Sequence, residues 1–267
     1  MALKILSFSY VLFILLLIVS SFFEGALGLL IYFLAFAIPF ALSIFLGRRS
    51  GELEKPKLKI SKENFILMLP TLAPIILITI GLSALFSFIF GLFGVYNNNV
   101  TDVSGNIIFV LIRHAVLPTV LEELLFRYLP IALLAKSSPR MAIFASGVFF
   151  AFSHCNLFQL PYALFAGLIF AMLDVIFNSI TPSLILHFLN NVISVFYLRY
   201  SEIAVFKLAY YITLSSLAFI SLIIVFLIRN KYLPKVRELK NENEGVKFGA
   251  ETLIFLIITS AIAIITI

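Results

Sequence analysis

Two adjacent glutamates, Glu122 and Glu123, and an arginine four residues on, Arg127, lie inside an apolar run that extends from about Ile107 to Ala135. Ionisable groups in such a run are costly, so they face a bundle interior or a water-filled cavity and mark function. On a helix, residues four apart share a face and neighbours are turned by about 100°. That spacing pairs Glu123 with Arg127, whose permanent charge fixes the carboxylate. It leaves Glu122 pointing elsewhere, free to face a cavity and act as a general base. The plainer alternative for a Glu/Arg pair is a structural ion pair that locks two helices; a second glutamate without a partner at helical spacing weakens it.

Two histidines lie in later apolar runs. His154 ends one of them, with Phe150 four residues earlier on the same face and able to limit its rotamers. The turn near Ser138 joins this run to that of the glutamates. Glu122 is sixteen residues before it (138 − 122) and His154 sixteen after it (154 − 138), which puts the two side chains at similar depth on antiparallel helices. His187 and Asn191 are four apart on one face and can direct two hydrogen-bond donors at one point, as an oxyanion requires; the alternative is that they bond between helices. Together these residues suggest a hydrolytic site inside a membrane. Asn190 points away from that face and receives no role. Arg113 snorkels or pairs, His114 is an ordinary polar residue of its helix, and Asp174 caps or pairs locally. The single cysteine, Cys155, excludes an internal disulfide and a cysteine-cluster metal site, and reads as a small packed residue.

The elements that must carry these groups follow from composition. The chain is 62% hydrophobic and 12% charged, with a mean hydropathy of +1.14; a soluble domain is typically about 25% charged. Continuous apolar runs that do not alternate exclude a β-barrel. The expectation is an all-α, polytopic transmembrane bundle of about eight, possibly nine, helices. The runs cover about Ile5–Phe23, Ala26–Leu46, Phe65–Gly94, Ile107–Ala135, Met141–His154, Leu157–Phe177, Ser183–Leu198 and Ile203–Leu227, with a short apolar tail from Thr252 to Ile267. The first run reads as a retained helix rather than a signal peptide, because it is long for one and a second run follows at once. Kinks are expected near Pro70 and Pro74, and on either side of the glutamates at Pro118 and Pro130. The chain divides into N-terminal helices with a basic loop (1–104), a catalytic helical core (105–228), and a basic segment with a short apolar helix (229–267). Basic loops around Arg48 to Lys62, Lys136 to Arg140 and Arg229 to Glu251 share one face, cytoplasmic by the positive-inside tendency, as is the N-terminus of this cell-membrane protein. The formal net charge of +6 is explained by that topology, so nucleic acid is not an expected partner. Asn99-Val100-Thr101 is a chance glycosylation sequon. His187 is only about eight residues past the turn at Ser179, so the site belongs in the inner half of the membrane, with a cavity open to the cytoplasmic side.

The ordered set Glu122-Glu123-x-x-x-Arg127, Phe150-x-x-x-His154 and His187-x-x-x-Asn191, in successive apolar runs, resembles the CPBP family. These intramembrane proteases are related to the type II CAAX prenyl endopeptidases and are also called Abi proteins. The resemblance covers about Ile107 to Leu198 and implies an intramembrane endopeptidase. In it Glu122 activates water with His154 as its partner, Glu123 and Arg127 support them, and His187 and Asn191 stabilise the oxyanion. No cofactor is required by this scheme. A divalent metal, zinc in the first place, would take Glu122, His154 and His187, one Glu and two His being a zinc ligand set; with no His-x-x-x-His spacing on a single helix, the sequence leaves the metal undecided. The implied partners are a peptide or lipidated protein substrate and membrane lipid, while the oligomeric state stays open. Two other classes compete. A non-catalytic immunity or scaffold protein would use the same polar network structurally. A transporter would use the carboxylates as a proton relay, but would show internal repeats, and none is visible.

Overall fold

The computed structural model of this chain describes residues 1–97, 101–240 and 250–265. Asn99 and Val100 of the sequon lie outside them. In hydrocarbon no water can satisfy backbone groups, so an apolar chain must pair its own amides in helices. The described residues form nine of them: α1 (Ala2–Ser20), α2 (Gly25–Arg49), α3 (Lys62–Leu92), α4 (107–134), α5 (Pro139–Ser153), α6 (Leu160–Phe177), α7 (Thr181–Tyr200), α8 (Ala204–Lys240) and α9 (Ala250–Ile265). Six are individually long and apolar enough to span a bilayer, and α5 and α9 are shorter apolar helices. The chain is a multi-pass helical membrane protein.

Local signals set the helix ends. Ser61, Asn106 and Ser138 accept from the amides of Asn64, Ile108 and Met141 at 3.1, 2.9 and 3.4 Å, each satisfying a donor the helix cannot. Asn178, in the left-handed region (φ 51°), closes α6. The cap on α7 comes from outside that helix: Asp174 of α6 accepts from the Ser183 amide at 2.9 Å, the local pairing expected of it.

α1 is built into the core. Leu6, Tyr10 and Phe13 are fully buried, and the Tyr10 ring lies against Phe126, Phe149 and Phe255, so the first, fourth, fifth and ninth helices share one cluster. α5 and α6 approach closely because glycines face each other. A Cβ on Gly167 would come 3.0 Å from the Gly147 Cα, and one on Gly147 would strike Leu168 at 2.7 Å.

The prolines act differently at different places. Near Pro70 the helix tightens into a 3₁₀ turn, Leu69–Thr71. In α4 the expected kinks appear as two π-helical turns, Ile112–Val116 and Leu124–Tyr128, each placing its proline at the start of the next α-helical piece. A proline has no N–H and clashes with the preceding turn; widening that turn relieves the clash. Pro130 offers no donor to the carbonyls before it. The Leu125 carbonyl accepts instead from the Tyr10 hydroxyl at 2.9 Å, and that of Phe126 from the Ser146 hydroxyl and from Arg127 Nη1 at 3.2 Å.

The polar segment expected after about Leu227 is a correction: α8 continues through Pro234 to Lys240. Its end packs along the start of α3, with Lys231 paired to Glu63 at 3.0 Å, Tyr232 bonded to the Leu67 carbonyl, and Val236 and Leu239 against a second apolar cluster. That amphipathic contact holds a helix which composition alone reads as a loop.

Candidate active site

The polar chemistry of α4 to α7 can be followed outward from one buried ring. His187, on the second turn of α7, is 5% exposed. Its Nδ1 is 2.7 Å from Glu123 Oε1, and its Nε2 is 3.6 Å from Glu122 Oε2. Neighbouring glutamates diverge by about 100° on α4, and an imidazole wedged between them meets one with each nitrogen. Phe150, nearly perpendicular to the imidazole, and Phe170, tilted over it, flank the ring with centroids 5.6 and 5.9 Å away.

Arg127 is fully buried, and its Nε lies 3.6 Å from Glu123 Oε2. This is an ion pair without a hydrogen bond, because Glu123 Oε2 and Arg127 Nε and Nη2 have no hydrogen-bond partner among the described residues. The π turn between the two residues explains this: it rotates Arg127 off the register that residues four apart hold on an α-helix. The guanidinium is instead fixed by Ser146 Oγ at 3.4 Å and by the Phe150 ring, 4.3 Å below its carbon. Phe150 thus touches Arg127, His187 and, edge-on at 4.9 Å, His154.

Glu122, His154, His187 and Asn191 all line one cavity of about 460 Å³, together with Phe150. The side chain found against Glu122 is His187 rather than the expected His154, which faces the same cavity from the end of α5. Asn191 donates its amide to Thr119 Oγ1 at 3.2 Å. Asn190, expected to point away, also lines the cavity, and its Nδ2 is 3.5 Å from Asn191 Oδ1. The set Glu122, His154 and His187 does not fit a metal: among the described residues no three His, Cys, Asp or Glu side chains converge as ligands would.

The cavity runs from this centre toward Thr101, His114, Tyr197 and Tyr210, near the start of α4, the end of α7 and the start of α8. His114, read as an ordinary helix residue, is a wall of it and bonds the Asp102 carbonyl at 3.1 Å. Those helix ends are opposite to the ones that carry Arg48, Arg49, Lys136 and Arg140. The lining thus extends to the end of the bundle opposite the basic loops, whereas the sequence reading puts the mouth and those loops on one side. The helical count of residues from the turns, used to place the site by depth, carries no information on which end is open.

Residues 103–193 match the family described as type II CAAX prenyl endopeptidase Rce1-like. This stretch is an Rce1-like domain of the CPBP/CAAX protease family. The family is one of protease hydrolases, and the Rce1-like domain contains every residue in the paragraphs above that touches His187 or Arg127. It also contains Thr119 and Asn190, which sequence reasoning passed over. Thr119 stands four residues before Glu123, as Asn191 stands four after His187, a matched spacing that could have pointed to it. No curated protein and no solved structure matches the chain.

Proposed function

We propose that the Rce1-like domain is an intramembrane endopeptidase that hydrolyses a peptide bond in a lipidated, CAAX-type peptide or protein. The observation that carries this reading is the meeting of Glu122, His154, His187 and Asn191, from three separate spans, on one cavity. In the proposed reaction Glu122 takes a proton from water as the water oxygen attacks the scissile carbonyl carbon. The oxyanion so formed accepts from His187 Nε2–H and from an Asn191 N–H. The C–N bond then breaks, and the proton held by Glu122 passes to the leaving amine, with His154 beside the same cavity to assist. For Nε2 to donate while Nδ1 donates to Glu123, the imidazole must carry both protons. Two carboxylates and one guanidinium around it, Glu122, Glu123 and Arg127, then leave the cluster neutral before reaction. The cavity wall suits an amphiphilic substrate, with Gln159, Asn190 and Ser194 offering hydrogen bonds and Ile76, Ile80 and Ala166 offering apolar contact.

The test is a comparison of membrane peptide termini from cells carrying the intact protein or its Glu122→Gln variant. A terminus present only with the intact protein supports the reading and names the substrate; identical termini overturn it. Substrate would enter at the end of the bundle away from the basic loops, which positive charge places on the outer side. A cysteine at Ser194, on the cavity wall, should then react with a membrane-impermeant maleimide in intact cells while one at Lys57 does not; the reverse pattern puts the mouth in the cytoplasm.

A further inference from the structure

We infer that Thr119 and Asn190 are positioning residues that fix which face of the Asn191 carboxamide looks into the cavity. This rests on the oxyanion role proposed for Asn191 and deepens it.

The contact between α4 and α7 is a two-rung antiparallel ladder. Residues 119 and 123 of α4, four apart, meet residues 191 and 187 of α7, also four apart. The lower rung is Glu123 to His187; the upper is Asn191 Nδ2 to Thr119 Oγ1 at 3.2 Å, and Thr119 is only 2% exposed. A carboxamide has two N–H donors and one acceptor oxygen. Thr119 takes one donor, and Asn190 Nδ2 lies 3.5 Å from the acceptor oxygen. One N–H of Asn191 is left, on a side chain that lines the cavity with Glu122 and His187.

The consequence is directional. Oxygen and nitrogen of an amide are nearly equal in size, so the orientation is chosen by hydrogen bonds and not by shape. Without the Thr119 hydroxyl the group can turn over and present Oδ1 to the cavity. An oxygen there repels a developing oxyanion, whereas an N–H stabilises it. Asn190 acts in the same sense from the other end, since its own donor favours oxygen on its side.

The test uses the full-length protein in proteoliposomes with a fluorogenic farnesylated CAAX peptide. Thr119→Val keeps the volume and removes the acceptor. It should lower kcat by about tenfold, short of what deletion of an oxyanion donor does, with KM within twofold and an unchanged melting temperature. Thr119→Ser restores the hydroxyl and should restore kcat. In an Asn191→Ala background Thr119→Val should cost nothing more, because the residue it orients is gone. An additive loss in that background, or a Thr119→Ser variant as slow as Thr119→Val, overturns the inference, as does a Thr119→Val variant equal to the intact protein while Glu122→Gln is inert. If Thr119→Val does not fold, Asn190→Ala probes the other end of the same amide, and unchanged kcat there overturns it equally. Cleavage that does not depend on Glu122 at all removes the proposed activity, and this inference with it.

Discussion

Helix α4 has two working faces, and they differ in kind. Toward α1 it presents Leu125, Phe126 and Leu129, with Phe126 stacked on Tyr10 at 5.2 Å and meeting Phe13 edge-on at 5.4 Å. Toward α7 it presents Thr119, Glu122 and Glu123 to Asn191 and His187. Lipid is as apolar as a phenylalanine, so the first face holds by close packing and dispersion rather than by exclusion from water. The second holds by hydrogen bonds and opposed charges in a medium where these are strong and an unpaired one is costly. The contrast teaches how one helix can be both a structural post and a reactive edge. The apolar face keeps it still, and the polar face concentrates groups that no single span could tolerate alone.

Substitutions should separate the two faces. Glu122→Gln removes the proposed base while keeping shape and a hydrogen-bonding group. Cleavage should fall by about 10²–10⁴-fold with the melting temperature in detergent unchanged, and a fully active variant would sink the assignment. Arg127→Met tests the join between the faces. It leaves the cluster of Glu122, Glu123 and His187 with an uncompensated buried negative charge, which costs about 3–5 kcal/mol, so both melting temperature and cleavage should drop together. Phe126→Ala, on the apolar face, should cost about 3–5 kcal/mol through the cavity it leaves, while the molecules that remain folded cleave at the intact rate. Tyr10→Phe is the smallest step. It leaves the Leu125 carbonyl without its donor, costs about 1 kcal/mol, and should leave kcat untouched. A Phe126→Ala or Tyr10→Phe protein that is stable but slow would show that the two faces are not independent.

Glu123 and Arg127 are the ion pair their four-residue spacing predicts, and the π turn over Leu124–Tyr128 accounts for its lying at 3.6 Å, past hydrogen-bond range. The pairing of Glu122 with His154 rested instead on equal counts from the Ser138 turn, which compare depth but not rotation, and the ring found between the glutamates is His187. Pro130 was the visible sign of trouble, but a proline announces a disturbance without saying whether it becomes a kink or a widened turn. Asn190 was misread for a related reason. Two adjacent side chains on a helix can both reach a cavity when the cavity is wide, and its width is set by other helices.

What the sequence determined by itself was the class of the molecule and the identity of its unusual residues. Moving a charge or an imidazole into hydrocarbon is so expensive that Glu122, Glu123, Arg127, His154 and His187 stand out wherever the rest of the span is apolar, and that cost is local to each residue. The continuous apolar runs likewise dictated helices, because lipid leaves the backbone no other partner. Only the tertiary structure decided which imidazole meets which carboxylate, that α8 runs on to Lys240 against α3, and that the cavity reaches toward Tyr197 and His114 rather than toward the basic loops. Those outcomes depend on how far helices rotate and slide past one another. Contacts distant in sequence settle that, such as Gly147 against Gly167 and Tyr10 on the Leu125 carbonyl, and no periodicity within a single span contains them.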